Sequence, residues 1–293
     1  RNTSEEQFQQ EFECEFLGSV DTLISAAKIK QMPFLKPIKS NAGLDVYEEV
    51  KKNHVYVTCV DVARGVEKDY SAFIILDVTQ MPYRVVAKYR SNEIKPILFP
   101  HMIARASKAY NESHVLIEVN DIGQQISEIL HMEIEYPSIL MTTQRGRAGQ
   151  ILGAQFSGRG TSLGVRMTKQ IKKIGCSNIK TLIETDKLIT NDFHIIEEMS
   201  TFARRGNSWM AEEGCNDDLM MCLVIFGWLS NQAFFKELTN TNARQMLYEE
   251  QSKLIEADMA PFGFVDDGIT HPEETPFSDE YGTVWHPVVR KGQ

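Results

Sequence analysis

The sequence predicts an α/β fold, a mixed sheet of antiparallel meander and parallel strands flanked by helices. Three observations carry this. Between residues 54 and 92, three apolar, β-branched runs of strand length follow one another through short turns. After them, helical and extended patterns alternate, which is how chains build layered α/β domains. Near residue 220 the run DDLMMCLVIFGWL is apolar nearly all round, as expected of a helix lying against a sheet.

The elements follow in order. Residues 1–50 begin polar, then pass through the small-residue segment GSVDTLISAAKIK and the proline-punctuated QMPFLKPIKSNAGL, and read as a linker or the end of a preceding domain. HVYVTCVDVA, YSAFIILDVT and YRVVAKYRSN are the three meander strands. ILFPHMIARASKAYN carries Met102, Ile103, Ala106 and Ala109 at helical spacing. HVLIEVN is a fourth strand, NDIGQQISEILHM a helix with a polar start suited to capping, and SILMTT a further strand. Residues 144–165, rich in Gly and Arg, read as a loop or hairpin. RMTKQIKKIGC and NIKTLIETDKL look like two helical segments, LITND a short strand, HIIEEMSTFARRG a helix and SWMAEEG a strand. DDLMMCLVIFGWLSNQAFFKEL reads as one long helix. From 241 to 293 the chain turns acidic and rich in Pro and Gly, as an extended or partly disordered tail does. The expected organisation is 1–50 linker, 51–240 main domain and 241–293 tail. This order of elements is also that of the ribonuclease H-like fold.

Composition narrows the function classes. Hydrophobic residues at 42% suffice for a large core, and charged residues at 24% are ordinary for a globular chain. No run of 18 apolar residues occurs, so no transmembrane helix and no membrane partner is expected. The start lacks the basic and apolar regions of a signal peptide and lacks an initiator Met, so the chain reads as a fragment of something longer. Cys14, Cys59, Cys176, Cys215 and Cys222 form no C-x-x-C pair, and each reads as a buried free thiol in a reducing setting. His54, His101, His114, His131 and His194 lack ligand spacing and read as structural. Net charge is −9 but unevenly spread: residues 145–205 hold eleven Lys or Arg against five Asp or Glu, while residues 206–293 hold five against fifteen. A basic block in an acidic chain is either a phosphate-facing surface or a solvated face. If it faces phosphate, the candidate contacts are Arg145, Arg147, Arg159, Arg166, Lys169, Lys172 and Lys173. No GxxxxGK[ST] loop occurs, which removes the phosphate cradle of an ATP motor from this segment.

The carboxylates point to chemistry. Asp61 stands inside VYVTCVDVARG, Glu118 inside HVLIEVN, and Asp217 and Asp218 open the apolar helix GCNDDLMMCLVIF. Buried carboxylates are costly unless paired or bound to a cation. Singly, each is a turn or cap residue, and Asp217 fits an ordinary helix N-cap. Together, on three elements able to meet at one sheet end, they suggest a shared cation. An all-oxygen set without His or Cys suits Mg²⁺ or Mn²⁺. Two such ions would serve an in-line attack on a phosphodiester, with Asp61 bridging both and Glu118 and Asp218 each holding one. Asp69 and Lys68, in the turn ARGVEKD, are weaker candidates better read as turn residues.

VDVARGVEKDYSAFIILDVT, VLIEVNDIG, KKIGCSNIKTLIETDKLI and SWMAEEGCNDDLMMCLVIFGWL resemble the C-terminal nuclease domain of large terminases from T-even-like tailed phages, over about Val55 to Phe235. The resemblance implies a ribonuclease H-like endonuclease in which Asp61, Glu118 and Asp218 hold two divalent ions, with Asp217 an auxiliary ligand. It implies double-stranded DNA as substrate, cut from concatemers during genome packaging in the cytoplasm of the infected bacterial host. For the full protein it implies an ATPase domain upstream, ending in residues 1–50, and the capsid portal and small terminase subunit as partners. The chain departs in two places: Asn216 stands where the family often has His, and residues 144–164 look longer than in close relatives, as a hairpin beside the DNA groove would. Other readings are a resolvase, integrase or proofreading exonuclease of the same fold, a non-catalytic docking or DNA-binding module of the packaging motor, and a sugar-kinase-like ATPase, for which only ARGVEKD is near the required glycine loop.

Overall fold

A computed structural model describes residues 21–62, 70–119, 121–143, 149–153, 161–241, 244, 277–278 and 282–285. The chain divides into two units, residues 1–245 and 246–293.

In the first unit the three meander runs form β3 (Tyr56–Asp61), β4 (Ser71–Asp77) and β5 (Tyr83–Ser91), paired antiparallel in sequence order. β1 (Lys39–Asn41) and β2 (Leu44–Val46) extend this sheet beyond β5, and β6 (His114–Ile117) adds parallel to β3 at the other side. The order is β1-β2-β5-β4-β3-β6, with β10 (Leu188–Ile189) parallel to the start of β5. This is the mixed, ribonuclease H-like sheet that the sequence predicts. Past β6, Ile139 bridges Val115 and Val165 bridges Glu118, so two further short stretches continue the parallel side. β7 (Met141–Thr143), β8 (Gln150–Gly153) and β9 (Thr161–Leu163) form a small antiparallel sheet in the order β8-β7-β9.

Strand alternation decides what each face carries. Tyr56, Val60, Phe73 and Ile75 point to a core shared with α2 (Phe99–Ala109) and α3 (Asp121–Glu128, continued by a π-helical turn, Ile129–Glu133). Val57, Cys59, Ala72, Ile74 and Leu116 point to the opposite core, shared with α4 (Lys169–Glu184), α5 (Phe193–Thr201) and α6 (Asp218–Leu229). Every residue of α6 from Leu219 to Leu229 is buried, because the sheet takes one side of the helix and α4 and α5 the others. Glycine permits this packing: a Cβ on Gly175 of α4 would stand 2.3 Å from the Val224 carbonyl oxygen, and one on Gly227 2.4 Å from that of Gly175. The described helices include no single one long and apolar enough to cross a membrane. α6 with the following helix α7 (Ala233–Thr241) has the composition of a broken span, but α6 is core.

Several elements differ from expectation. The described part of the stretch read as a linker is packed: Leu23, Ile24 and Ile29 of α1 (Ala26–Gln31) and its approach are buried, and Leu23 N–H donates to the Phe202 carbonyl. The two helical segments between Met167 and Leu188 are one helix, α4, capped by Thr168, whose hydroxyl accepts from Ile171 N–H. FARR is not a helix end but strand β11 (Phe202–Arg205), paired with β12 (Ser208–Ala211). The long C-terminal helix breaks after Leu229 and turns by 81° into α7, which brings Phe235 against Tyr83 and Phe226. Cys59, Cys176 and Cys222 are buried thiols, but Cys215 is exposed, and Cys14 lies outside the described residues. In the second unit the described residues form one antiparallel pair, β13 (Phe277–Ser278) with β14 (Val284–Trp285), inside the segment read as an extended or partly disordered tail.

Candidate metal centre and nuclease site

β3 and β6 run parallel with Val60 opposite Ile117, so one step further Asp61 stands beside Glu118. The Glu118 N–H donates to the Val60 carbonyl at 2.9 Å and holds that register past the strand end. Both residues fall on the α6 face, following Val57 and Cys59 in one strand and Leu116 in the other. α6 arrives there with its N-terminus. The Cys222 thiol, one turn after Asp218, lies 3.6 Å from the Ala72 carbonyl oxygen, and Ala72 is the cross-strand partner of Asp61. Three residues distant in sequence are thereby set at one end of the sheet.

The electrostatics agree. Burial, then the charges of Glu118 and Asp218, hold the Asp61 carboxyl well above the usual carboxylate range; a hydrogen bond to Glu118 and the charge of Asp217 push the same way. Carboxyls crowded in a place of low dielectric disfavour one another's charge in this way. Glu118 is itself buried. Among the described residues no three His, Cys, Asp or Glu side chains are set at metal-ligand spacing. The carboxylates converge on one sheet end; they do not form a finished cage. An all-oxygen, like-charged set of this kind fits a hard divalent cation.

Asp217 occupies the cap position of α6 without capping it. Its Oδ2 accepts from Ala211 N–H at 3.3 Å, which ties the base of the β11–β12 hairpin to the start of α6. The expected N-cap role is therefore corrected: the geometry of β12 claims that carboxylate, and another group serves the helix. This is Glu198 of α5, 3% exposed, whose Oε2 accepts from Met220 N–H at 2.8 Å. Its Oε1 faces Arg90 Nη2 at 3.5 Å. Burial foremost pushes Glu198 up to about 8, the Asp218 and Asp217 charges adding to it and Arg90 and the Met220 N–H opposing. Neither Glu198 nor Arg90 was singled out from sequence. The available signal was Glu198 at helical spacing with Ile195, Met199 and Phe202, a charge within an apolar stripe.

Of the seven cations expected to meet DNA, Arg145, Arg147 and Arg159 lie outside the described residues. The other four lie at 166–173, between the end of β9 and the first turns of α4. Arg166 follows Val165, the residue bridged to Glu118, and is exposed. Lys169 and Lys173 are exposed on the first turns of α4. Lys172 is half-buried, with Nζ 5.5 Å from the centroid of the Phe202 ring at the base of β11. The sequence reading passed over Arg204 and Arg205, both exposed near the tip of the β11–β12 hairpin that Asp217 anchors. Lys68 and Asp69 fall outside the described residues.

A mixed sheet with this strand order, carrying acidic residues at one end under a buried helix, defines a ribonuclease H-like domain. The family description Terminase RNaseH-like domain matches residues 58–236, and the chain belongs to that family. Solved structures agree on the fold. The large terminase nuclease from thermophilic phage G20c is 18% identical with a TM-score of 0.53, over 73% of this chain and 100% of that one. The same nuclease with bound magnesium is 20% identical, TM-score 0.53, over 71% and 97%. The Thermus phage P74-26 large terminase nuclease domain is 19% identical, TM-score 0.50, over 70% and 93%.

Proposed function

We propose that this chain is a divalent-metal-dependent DNA endonuclease, the nuclease part of a large terminase of the T-even-like kind, which cuts concatemeric viral DNA during genome packaging. The observation that carries this reading is the placement of Asp61, Glu118 and Asp218 at one end of the sheet, with a hydrogen bond between the first two. Membership of the terminase family supports the packaging context, and the magnesium-bound G20c nuclease supports the choice of cation. Asp61, Glu118 and Asp218 would hold Mg²⁺ or Mn²⁺, two ions in all, with Asp217 auxiliary. When bound, such ions supply an activated water and stabilise the leaving oxygen of an in-line phosphodiester attack.

The chain's own groups do the rest. Arg166, Lys169, Lys172 and Lys173, with Arg145, Arg147 and Arg159, contact phosphates and position the duplex without reading its sequence. In the full protein the capsid portal and the small terminase subunit are the partners, the site of action is the cytoplasm of the infected bacterial host, and residues 1–50 connect to an ATPase domain. Residues 51–240 form the nuclease domain in this scheme, and 241–293 its acidic tail.

The test is incubation of the purified chain with supercoiled plasmid in Mg²⁺, Mn²⁺ or chelator, alongside Asp61→Asn and Asp218→Asn. Metal-dependent nicking and linearisation are expected, lost in both variants while circular dichroism stays unchanged. A closed circle has no end, so cutting it also excludes an exonuclease. Activity that persists in both variants would remove these carboxylates from the reaction.

A further inference from the structure

The N-terminal N–H groups of a helix need acceptors from outside it, and here the usual donor of an acceptor is turned away. Glu198 replaces it from a different helix. Its placement is firmly determined. α5 is fixed to β5 at its start by Asp192, which caps Ile195 N–H at 2.7 Å and lies 3.2 Å from the buried Lys88 ammonium. One and a half turns later Arg90, two residues beyond Lys88 on the same strand face, meets Glu198. Arg90 belongs to a cross-strand row: Asp61 opposes Ala72, and Ala72 opposes Arg90. Its guanidinium carbon also lies 4.1 Å from the centroid of the Tyr70 ring. The Glu198 carboxylate therefore has one oxygen on a backbone N–H two residues after Asp218 and the other toward a cation rooted in the sheet that carries Asp61.

We infer that Glu198, backed by Arg90, is a positioning residue that fixes the first turn of α6 and so sets the Asp218 carboxylate against Asp61 and Glu118. This rests on the reading of those three as a divalent-ion site. Glu198 Oε2 is committed to the Met220 N–H, while Oε1 is buried, faces Arg90 at 3.5 Å and forms no hydrogen bond. From Leu219 onward α6 is locked by the core, so its first turn is the part left to be fixed by hydrogen bonds. Groups that orient metal ligands in this manner typically change metal affinity by about 10- to 100-fold when removed.

The experiment separates reach from charge. Glu198→Gln keeps an oxygen at the same reach and loses the charge; Glu198→Asp keeps the charge and is one methylene short of Met220 N–H. For the whole chain and both variants, Mn²⁺ is titrated and its half-saturating concentration read twice, from the thermal upshift and from plasmid cleavage. Hydrogen–deuterium exchange follows the peptide around residues 216–222. Glu198→Asp is expected to raise half-saturating Mn²⁺ at least about 10-fold and to speed exchange in that peptide, with cleavage recovering at high Mn²⁺. Glu198→Gln is expected to stay within about threefold of the parent on every readout. The opposite pattern, a damaged Gln variant and an intact Asp variant, would overturn the inference by showing that charge is what matters. Two variants with parental Mn²⁺ titrations, in a parent chain that binds and cuts, would overturn it as well. A parent chain showing neither upshift nor cleavage would instead defeat the ion-site reading on which the inference stands.

Discussion

Replacing Asp61 by Asn is expected to abolish cleavage and, in chelator, to make the chain more stable. Parallel strands lie about 4.8 Å apart, so if both were ionised the Asp61 and Glu118 carboxylates could retreat from each other only to roughly 5 Å. Two unit charges at that distance and an effective dielectric of about 20 repel by roughly 3 kcal/mol. In the folded chain burial and these neighbouring charges hold the Asp61 carboxyl well above the usual carboxylate range, so that it is expected to retain its proton. Holding that proton above the ordinary carboxylate range also costs stability. Asn carries no charge, has no proton to lose, and its amide N–H can donate to Glu118. The expected gain is roughly 1–3 kcal/mol near neutral pH, at about 2–4 °C of Tm per kcal/mol for a domain of this size. The pH dependence has a definite sign. Folded Asp61 retains its proton to higher pH than unfolded Asp61, so the parent loses stability as pH rises from about 4 toward the folded value, and the variant does not. Thermal unfolding in chelator from pH 4 to 8, repeated with Mn²⁺, reads both effects: the variant should melt higher in chelator and show no Mn²⁺ upshift. A variant that melts at or below the parent in chelator throughout this range would refute the reasoning, since the carboxylates would then not be crowded.

Three further predictions use other parts of the structure. Gly175→Ala puts a Cβ 2.3 Å from the Val224 carbonyl oxygen, so it should separate α4 from α6 and lower stability by about 1–3 kcal/mol or more, measured by urea unfolding. At Asp77 burial pushes the carboxyl up, but hydrogen bonds from Thr79 and His54 outweigh it and hold Asp77 below the usual range. Its contribution is present above the ordinary carboxylate value and is lost as pH falls through the lowered folded value, so Asp77→Asn should cost about 1–3 kcal/mol at pH 7 and progressively less below about pH 4. Replacing both Lys169 and Lys173 by Ala should reduce the slope of log affinity against log salt by about 2 for duplex DNA, as measured by fluorescence anisotropy, while leaving the Mn²⁺ titration unchanged.

The carboxylates were legible because each interrupts an apolar run: a charge between Val60 and Val62, or between Ile117 and Val119, is conspicuous in one dimension. The meander was legible for the same reason, its β-branched runs being separated by turn residues. Glu198 was less so: it interrupts the stripe of Ile195, Met199 and Phe202, but its neighbour Glu197 and the polar end of the helix mask that signal, and the contact with Met220 N–H is tertiary. Residues 202–205 continue a helical pattern locally, and it is pairing with residues 208–211 that makes them a strand. The break after Leu229 comes two residues past Gly227, without a proline; Phe235 beyond it packs on Tyr83 and Phe226, a contact that local pattern does not encode. The segment before residue 50 looked like a linker because prolines punctuate it, yet Leu23, Ile24 and Ile29 find a core supplied from far along the chain.

The order in which the chain is made gives the burial of α6 a temporal meaning. β3 and β4 are complete by Asp77, but the helix that covers their Val57, Cys59, Ala72 and Ile74 face begins at Asp218. At about 5–20 residues per second, synthesis leaves that apolar face without its main cover for roughly 10–30 s, a window open to chaperones and to misassociation. The element that ends this exposure is the one that brings Asp218 to Asp61 and Glu118. A nascent or C-terminally clipped chain stopping before α6 has neither a closed core nor a complete set of carboxylates, so the acidic site matures only in the step that finishes the domain.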